Sequence, residues 1–285
     1  MNDMSNISNE AKLIEGRMLV VGGGAMGEAI LSGVLKAERL CPSQVIVVEP
    51  NYDKELLLRD RYGIEVISKL DYRDFDSNDV CLFAVKPQIA FEVLSSLTKR
   101  LNETLFISIA IGVTIDDYYK VLDSSVPVVR VMPNMPISIG EGMSLISCAG
   151  NVSDAQKDIV SGLFESAGKC EHIPEEWQSA GATISGSGPA YFSYVIDALI
   201  AAGTDAGLPK DLSKRLAAQT AVGVSKMLLE TSRSPREIMQ ATASPGGITE
   251  AALKTLDEEG VHDAIVAAFL AAVQRAGELE DSFGK

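Results

Sequence analysis

From Gly16 to about Ile173, short apolar runs alternate with amphipathic segments, and after Trp177 the runs stop. RMLVVGGG, SQVIVVEP, DVCLFAVKP, TLFISIAIG and PVVRVMPN are β-branched and nearly continuous in hydrophobicity, which suits strands covered on both faces. Between them GEAILSGVLKAE and IAFEVLSSLTKRL read as helices, the second opened by Pro87 in a first-turn position. Alternation of this kind builds right-handed crossovers and a doubly wound, mostly parallel sheet. GMSLISCAG and GKCEHIPE predict two more strands around a helix whose start, Ser153 with Gln156, fits a capping box. Beyond Trp177 every segment is helical: Pro189 stands at a helix start, Gly207 at an end, and Ser234 with Glu237 fits a second capping box. The chain therefore divides into a polar extension over 1–15, an α/β domain over 16–175 and an all-α domain over 176–285. Helices so rich in alanine and apolar on several faces have more surface than one small bundle buries, so a second copy is expected to cover them.

A length of 285 residues allows one or two domains. The formal net charge of −14 excludes a broad phosphate-backbone surface, so no nucleic-acid partner is expected. Cys41, Cys81, Cys148 and Cys170 are far apart, form no CxxC pair and read as reduced thiols. The polar, acidic start lacks the basic and apolar regions of a signal peptide, and no run of about 18 apolar residues occurs. A cytoplasmic protein with no membrane partner is the expectation.

MLVVGGGAMGEAI places Gly22, Gly24 and Gly27 in G-x-G-x-x-G register between a strand and a helix. In that context the first glycine permits the tight turn, the second lets backbone approach a pyrophosphate, and the third lets helix meet strand. The competing reading is a merely glycine-rich turn. Glu49 ends the second strand, 22 residues beyond Gly27. An acid there can accept from a ribose 2′-hydroxyl and repels a 2′-phosphate, which leans toward NADH over NADPH. Otherwise it is an acidic loop residue without contact, and Lys54 or Arg59 could reach a 2′-phosphate.

Near the other end, ATASPGGITEAAL sets Pro245, Gly246 and Gly247 ahead of a helix restarting near Thr249. Glycines there bare the free N–H groups of a helix start for an anion. A plain helix corner fits the same residues. The only histidines, His172 and His262, leave His-type metal sites and Ser-His-Asp triads poorly supplied, and no metal is expected. Carbonyl reduction generally needs a side-chain acid, whereas a cyclic imine is basic enough to be protonated before hydride arrives. A site of backbone amides and hydroxyls therefore points to C=N reduction.

GGGAMGEAI, AVKPQ, ISIAIGVT, RVMPNMP, SGSGPAYF and ASPGGIT, in this order and spacing, closely resemble the pyrroline-5-carboxylate reductases, from about Arg17 onward. The resemblance implies a Rossmann domain followed by a helical dimerisation domain that interlocks with its twin, in dimers that can assemble into decamers. It implies hydride transfer from NADPH or NADH to the C=N of L-1-pyrroline-5-carboxylate, a small cyclic imino acid, giving L-proline. Carried over by residue, it puts the cofactor on Gly22, Gly24, Ala25, Met26 and Gly27, on Glu49, on Ala84, Val85, Lys86 and Pro87, and on Ala110, with Asn134 at the nicotinamide carboxamide. Ser244 and the amides of Gly246 and Gly247 would take the substrate carboxylate, and Thr249, the catalytic candidate, would hydrogen-bond the ring nitrogen. Ser187 would begin the long helix of the pocket floor, and Glu175 would stand near the substrate nitrogen. Ala25 and Met135 replace the family's usual Asn and Thr, each removing a polar group beside the cofactor.

Three other readings compete. A β-hydroxy-acid dehydrogenase would carry a lysine four residues after Gly186-Ser187-Gly188, where this chain has Phe192. Another cyclic imino acid reductase would share the same loops. A non-catalytic dinucleotide-sensing protein would need a damaged substrate loop, and Ser244 through Thr249 are intact.

Overall fold

The structure, a computed structural model, describes residues 13–70, 75–101 and 103–283, with backbone alone for 281–283. Residues 1–12 of the expected N-terminal extension lie outside them.

The elements run in order β1 (Met18–Val21), α1 (Ala25–Lys36), β2 (Val45–Val48), α2 (Tyr52–Tyr62), β3 (Glu65–Ile67), β4 (Val80–Phe83), α3 (Ala90–Leu97), β5 (Leu105–Ser108), α4 (Ile115–Tyr119), β6 (Val128–Met132), β7 (Gly142–Cys148), α5 (Asp154–Glu165) and β8 (Gly168–His172). Only helices follow: α6 (Gln178–Ser185), α7 (Gly188–Asp205), α8 (Lys210–Glu230), α9 (Pro235–Thr242), α10 (Ile248–Glu258) and α11 (Val261–Phe283). The strands form one sheet of order β3-β2-β1-β4-β5-β6-β7-β8. All pairs are parallel except β6 with β7.

The continuous apolar runs have a direct cause, since successive strand residues point to opposite faces and both faces carry helices. Met18 and Val20 pack with Ile30, Leu31 and Val34 of α1 and with Val160, Leu163 and Phe164 of α5. Leu19 and Val21 pack with Ala90, Leu94 and Leu97 of α3 and with Ile115 and Tyr118 of α4. No position along β1 faces water, so none can be polar.

Ser153 and Ser234 cap α5 and α9 with the reciprocal glutamine and glutamate bonds the sequence predicts. Pro87 opens a 3-10 turn over Pro87–Ile89, and the α-helix proper begins at Ala90. Helix α2 starts on an Asn51 cap that accepts from the Lys54 N–H and ends on a left-handed Gly63.

Two compact units result: one holds the chain through Ser187 together with Val273 onward, the other holds Gly188–Ala272. Helix α6 and the last turns of α11 thus group with the sheet. Within the helical unit α7 and α8 approach closely, for a Cβ on Gly203 would lie 2.8 Å from the Ser213 hydroxyl. That unit leaves Phe192, Tyr194, Leu199, Leu229 and Ile248 exposed. Among the described residues no helix is long and apolar enough to cross a membrane.

Candidate active site

In a doubly wound sheet, ligands bind outside the C-terminal strand ends where the strand order reverses. Here β2 and β4 flank β1, so the reversal lies between the ends of β1 and β4. Gly22 leaves β1 with φ +99°, a region costly for any side chain, and a Cβ there would sit 2.7 Å from the Ala84 carbonyl oxygen beyond β4. A Cβ on Gly27 would sit 2.5 Å from the Gly22 oxygen and 3.2 Å from the Ala84 methyl. Those two glycines are needed so that turn, helix and neighbouring strand can touch. Gly24 differs, because a Cβ there meets nothing within 4 Å. It caps α1 without a side-chain hydrogen bond, so the first-turn amides of Ala25, Met26 and Gly27 have no side-chain cap at a positive helix end. A tight first glycine, an open second and a packed third are what a pyrophosphate cradle requires, so these residues fit a dinucleotide. Ala25 is exposed and Met26 half-buried beside it.

Glu49 follows β2 and is only 8% exposed. Its Oε2 accepts from the Gly23 N–H at 3.1 Å and its Oε1 from the Asn51 N–H at 2.9 Å. The carboxylate therefore clamps the glycine loop to the turn opening α2. On α2, Arg59 is held by Glu55 and the Val66 carbonyl, and Arg61 by Glu28 of α1. Lys54, in the first turn, is the cation of this helix left to meet a 2′-phosphate.

Ala84, Val85, Lys86 and Pro87 continue from β4, with the Ala84 N–H bonded to the Val21 carbonyl at 2.8 Å. Ala110 follows β5 and is buried, its N–H donating to the Ser108 hydroxyl, which is also paired with the Tyr118 phenol. Burial pushes that phenol up, so it stays neutral. Thr114 then caps α4 in a box with Asp117. Burial opposes ionisation of Asp117, but Lys120 and Thr114 outweigh it and hold the carboxyl below its ordinary range. Its stabilising contribution is therefore present above the unfolded pKa and fades as pH falls through the lower folded one.

The structure also assembles a group that no local pattern announces. Glu175 Oε1 accepts from the Ile115 N–H at 2.8 Å and from Arg130 Nη1 at 3.2 Å. Arg130, in β6 and 7% exposed, gives its other nitrogen to Glu280 of α11 at 2.6 Å. One guanidinium thus joins the start of α4, the segment after β8 and the end of α11. Asn134 works similarly at the end of β6: its Nδ2 donates to the Ser185 carbonyl at 2.9 Å and its Oδ1 accepts from the Met143 N–H at 2.9 Å. One amide hydrogen remains for another acceptor. Ser187 closes the turn after α6, with its N–H on the Ala182 carbonyl at 3.1 Å.

The other candidates lie in the helical unit. Ala243 ends α9, and Gly247 caps α10 without a side-chain bond. Gly246 has φ +72°, the Gly247 N–H returns to the Ser244 carbonyl at 2.9 Å, and a Cβ on Gly247 would lie 2.5 Å from Ser244 Oγ. Thr249, half-buried, is the second residue of α10. Thr242 and Thr255 spend their hydroxyls on carbonyls four residues back, Ile238 and Ala251. Thr249 stands too early in its helix to have such a partner.

A glycine turn at the switch point of a doubly wound sheet, with an acid ending the adjoining strand, defines a dinucleotide-binding protein of the Rossmann class. Residues 17–112 match the family model for NADP oxidoreductase, coenzyme F420-dependent, and residues 175–279 match that for pyrroline-5-carboxylate reductase dimerisation. The pyrroline-5-carboxylate reductase of Synechocystis is 35% identical over 91% of this chain and 97% of its own. Solved structures of the Coxiella burnetii enzyme, at 32% identity and TM-score 0.84, and of the Plasmodium falciparum enzyme with NADP bound, at 28% and 0.83, each cover 93% of this chain and 98% of theirs. The chain belongs to the pyrroline-5-carboxylate reductases. It is an NAD(P)H-dependent oxidoreductase that reduces L-1-pyrroline-5-carboxylate to L-proline, in proline biosynthesis, and its dimerisation domain makes it a homo-oligomer.

Proposed function

We propose that in this reductase NADH is the preferred reductant, held by the sheet unit on Gly22, Gly24, Ala25, Met26 and Gly27, on Ala84 through Pro87, and on Ala110. When bound, the nicotinamide supplies the hydride. The observation carrying the preference is Glu49: a buried carboxylate at the end of β2, with Arg59 and Arg61 already committed to acids, puts negative charge where a 2′-phosphate would need positive charge. The remaining Asn134 amide hydrogen is assigned to the nicotinamide carboxamide. Efficiency (kcat/KM) with NADH should exceed that with NADPH, and Glu49→Gln should move the ratio toward NADPH by about tenfold, the scale of one like-charge contact of about 1.4 kcal/mol. A wild-type enzyme preferring NADPH overturns this assignment.

The helical unit is assigned the substrate. Ser244 with the Gly246 and Gly247 amides binds the carboxylate at a helix start whose dipole favours an anion, the Gly247 N–H exchanging the Ser244 carbonyl for it. The Thr249 hydroxyl, spared the helical back-bond, accepts from the N–H of the protonated ring nitrogen. In the sheet unit, Ser187 and Glu175 are the residues assigned to substrate, Glu175 through Oε2, which takes no part in the bonds to Ile115 and Arg130. The imine is taken up already protonated, so no side-chain acid is required of this chain. Thr249→Ala should lower kcat/KM for pyrroline-5-carboxylate roughly 10- to 100-fold while leaving the KM for NADH within about twofold, as expected for one lost transition-state hydrogen bond. Unchanged efficiency removes Thr249 from the reaction. The assembly is assigned as a homodimer through the exposed apolar faces of the helical unit, with dimers building a decamer in the cytoplasm. Sedimentation of the purified enzyme gives the mass that decides it.

A further inference from the structure

In an ordinary capping box, the glutamate at the third helical position reaches back to the N–H of the cap residue, beside a serine or threonine hydroxyl. Ser234 and Glu237 do this at the start of α9, with Glu237 Oε2 2.7 Å from the Ser234 N–H. Helix α10 has the glutamate, Glu250, but its cap is Gly247, which has no hydroxyl and whose N–H is already on the Ser244 carbonyl. Glu250 instead reaches one residue further, and its Oε2 accepts from the Gly246 N–H at 2.8 Å. A carboxylate of the protein therefore occupies a donor assigned above to the substrate carboxylate.

We propose that Glu250 is an internal competitor for the substrate's carboxylate, setting how tightly this enzyme holds pyrroline-5-carboxylate; this rests on the reading of Ser244 through Thr249 as the substrate loop. Two anions cannot share one amide without mutual repulsion, so substrate enters by displacing Glu250. The glutamate is exposed, and once displaced its charge goes into water without a desolvation penalty. The contact exists in the substrate-free enzyme and is gone once substrate is bound. It therefore weakens binding without slowing the step that follows, raising KM and leaving kcat alone.

The test is steady-state kinetics on the intact oligomer, with L-proline binding by calorimetry as a second readout. Glu250→Ala should lower the KM for pyrroline-5-carboxylate roughly three- to tenfold, the range set by one solvent-exposed hydrogen bond. Its kcat and KM for NADH should hold, and proline should bind more tightly by a similar factor. Glu250→Asp keeps the charge but falls one methylene short of Gly246, so it should behave like the alanine variant. An aspartate variant that keeps the wild-type KM, or two variants that leave KM unmoved, overturns the proposal. Ser244→Ala separates it from the loop reading. If Ser244→Ala raises KM while neither Glu250 variant changes it, the competitor alone fails; if Ser244→Ala leaves KM unchanged, the loop assignment fails with it.

Discussion

Arg130→Met should lower the unfolding free energy by about 2–3 kcal/mol, below the cost of removing one partner from a fully buried ion pair because both carboxylates keep some contact with water. The guanidinium is 7% exposed and stands between two carboxylates whose side chains are 30% and 25% exposed, Glu175 and Glu280. Without it, two like charges with restricted access to water are left without their shared cation, and Glu175 keeps only the Ile115 N–H as a donor among these contacts. Methionine replaces the lost volume, so the loss reports charge rather than a cavity. The measurement is the guanidinium-chloride midpoint at a fixed protomer concentration, since oligomerisation contributes to apparent stability. Arg130→Met combined with Glu175→Gln and Glu280→Gln should recover much of the loss, because the stranded charges go with it. A single-variant loss below about 1 kcal/mol would place the triad among ion pairs of surface strength.

Gly22→Ala and Gly24→Ala should separate folding from cofactor binding. At Gly22 the added methyl meets the Ala84 carbonyl at 2.7 Å, and φ +99° is unsuited to any side chain. A loss of about 2–3 kcal/mol in stability is expected from backbone strain of this kind, with dinucleotide affinity down by roughly tenfold to a hundredfold as the turn moves away from β4. At Gly24 the methyl meets no protein atom within 4 Å. Stability should then change by no more than about 0.5 kcal/mol, as for surface positions, while affinity for NADH falls because the methyl stands where pyrophosphate approaches backbone. Thermal unfolding and fluorescence titration with NADH, run on both variants, read the two effects independently. Equal affinity losses accompanied by equal stability losses would show that Gly24 is structural too.

Much of this was legible in the sequence because the constraints are local. A strand such as MLVV, covered on both faces, can hold only apolar residues, and a turn that must pass beneath the Ala84 carbonyl can hold only glycine. Ser153 and Ser234 announce their helices by satisfying amides three residues on. The segment NYDKELLLRDRY was less readable: Leu58 is its one buried side chain, Leu57 remains exposed, and β3 after it has three residues. The structure shows its ends at an Asn51 cap and a left-handed Gly63, neither of which was read from the sequence. Arg130 and Glu280 lie 150 positions apart, and charge alone gives no hint that two such residues meet. Asn134 was read for its amide, but nothing in RVMPNMP tells that both ends of that amide hold backbone of other segments. Glu250 drew no reading from the sequence, and the structure puts it at the third position of α10. What it does follows from the cap being glycine, a consequence that only the geometry of the turn exposes.

The Arg130 triad also bears on how the chain is made. Synthesis proceeds from the N-terminus at roughly 5–20 residues per second, and domains generally fold as units while it continues. The sheet can take shape as soon as β8 has left the ribosome, but Arg130 is then held by Glu175 alone, its second nitrogen waiting for a glutamate still to be translated. The whole helical unit is produced in that interval. The sheet unit is therefore the first to be built and the last to be finished, and in a nascent chain halted anywhere between Ser187 and Glu280 the Arg130 guanidinium has one of its two carboxylate partners and lacks the acceptor of its Nη2.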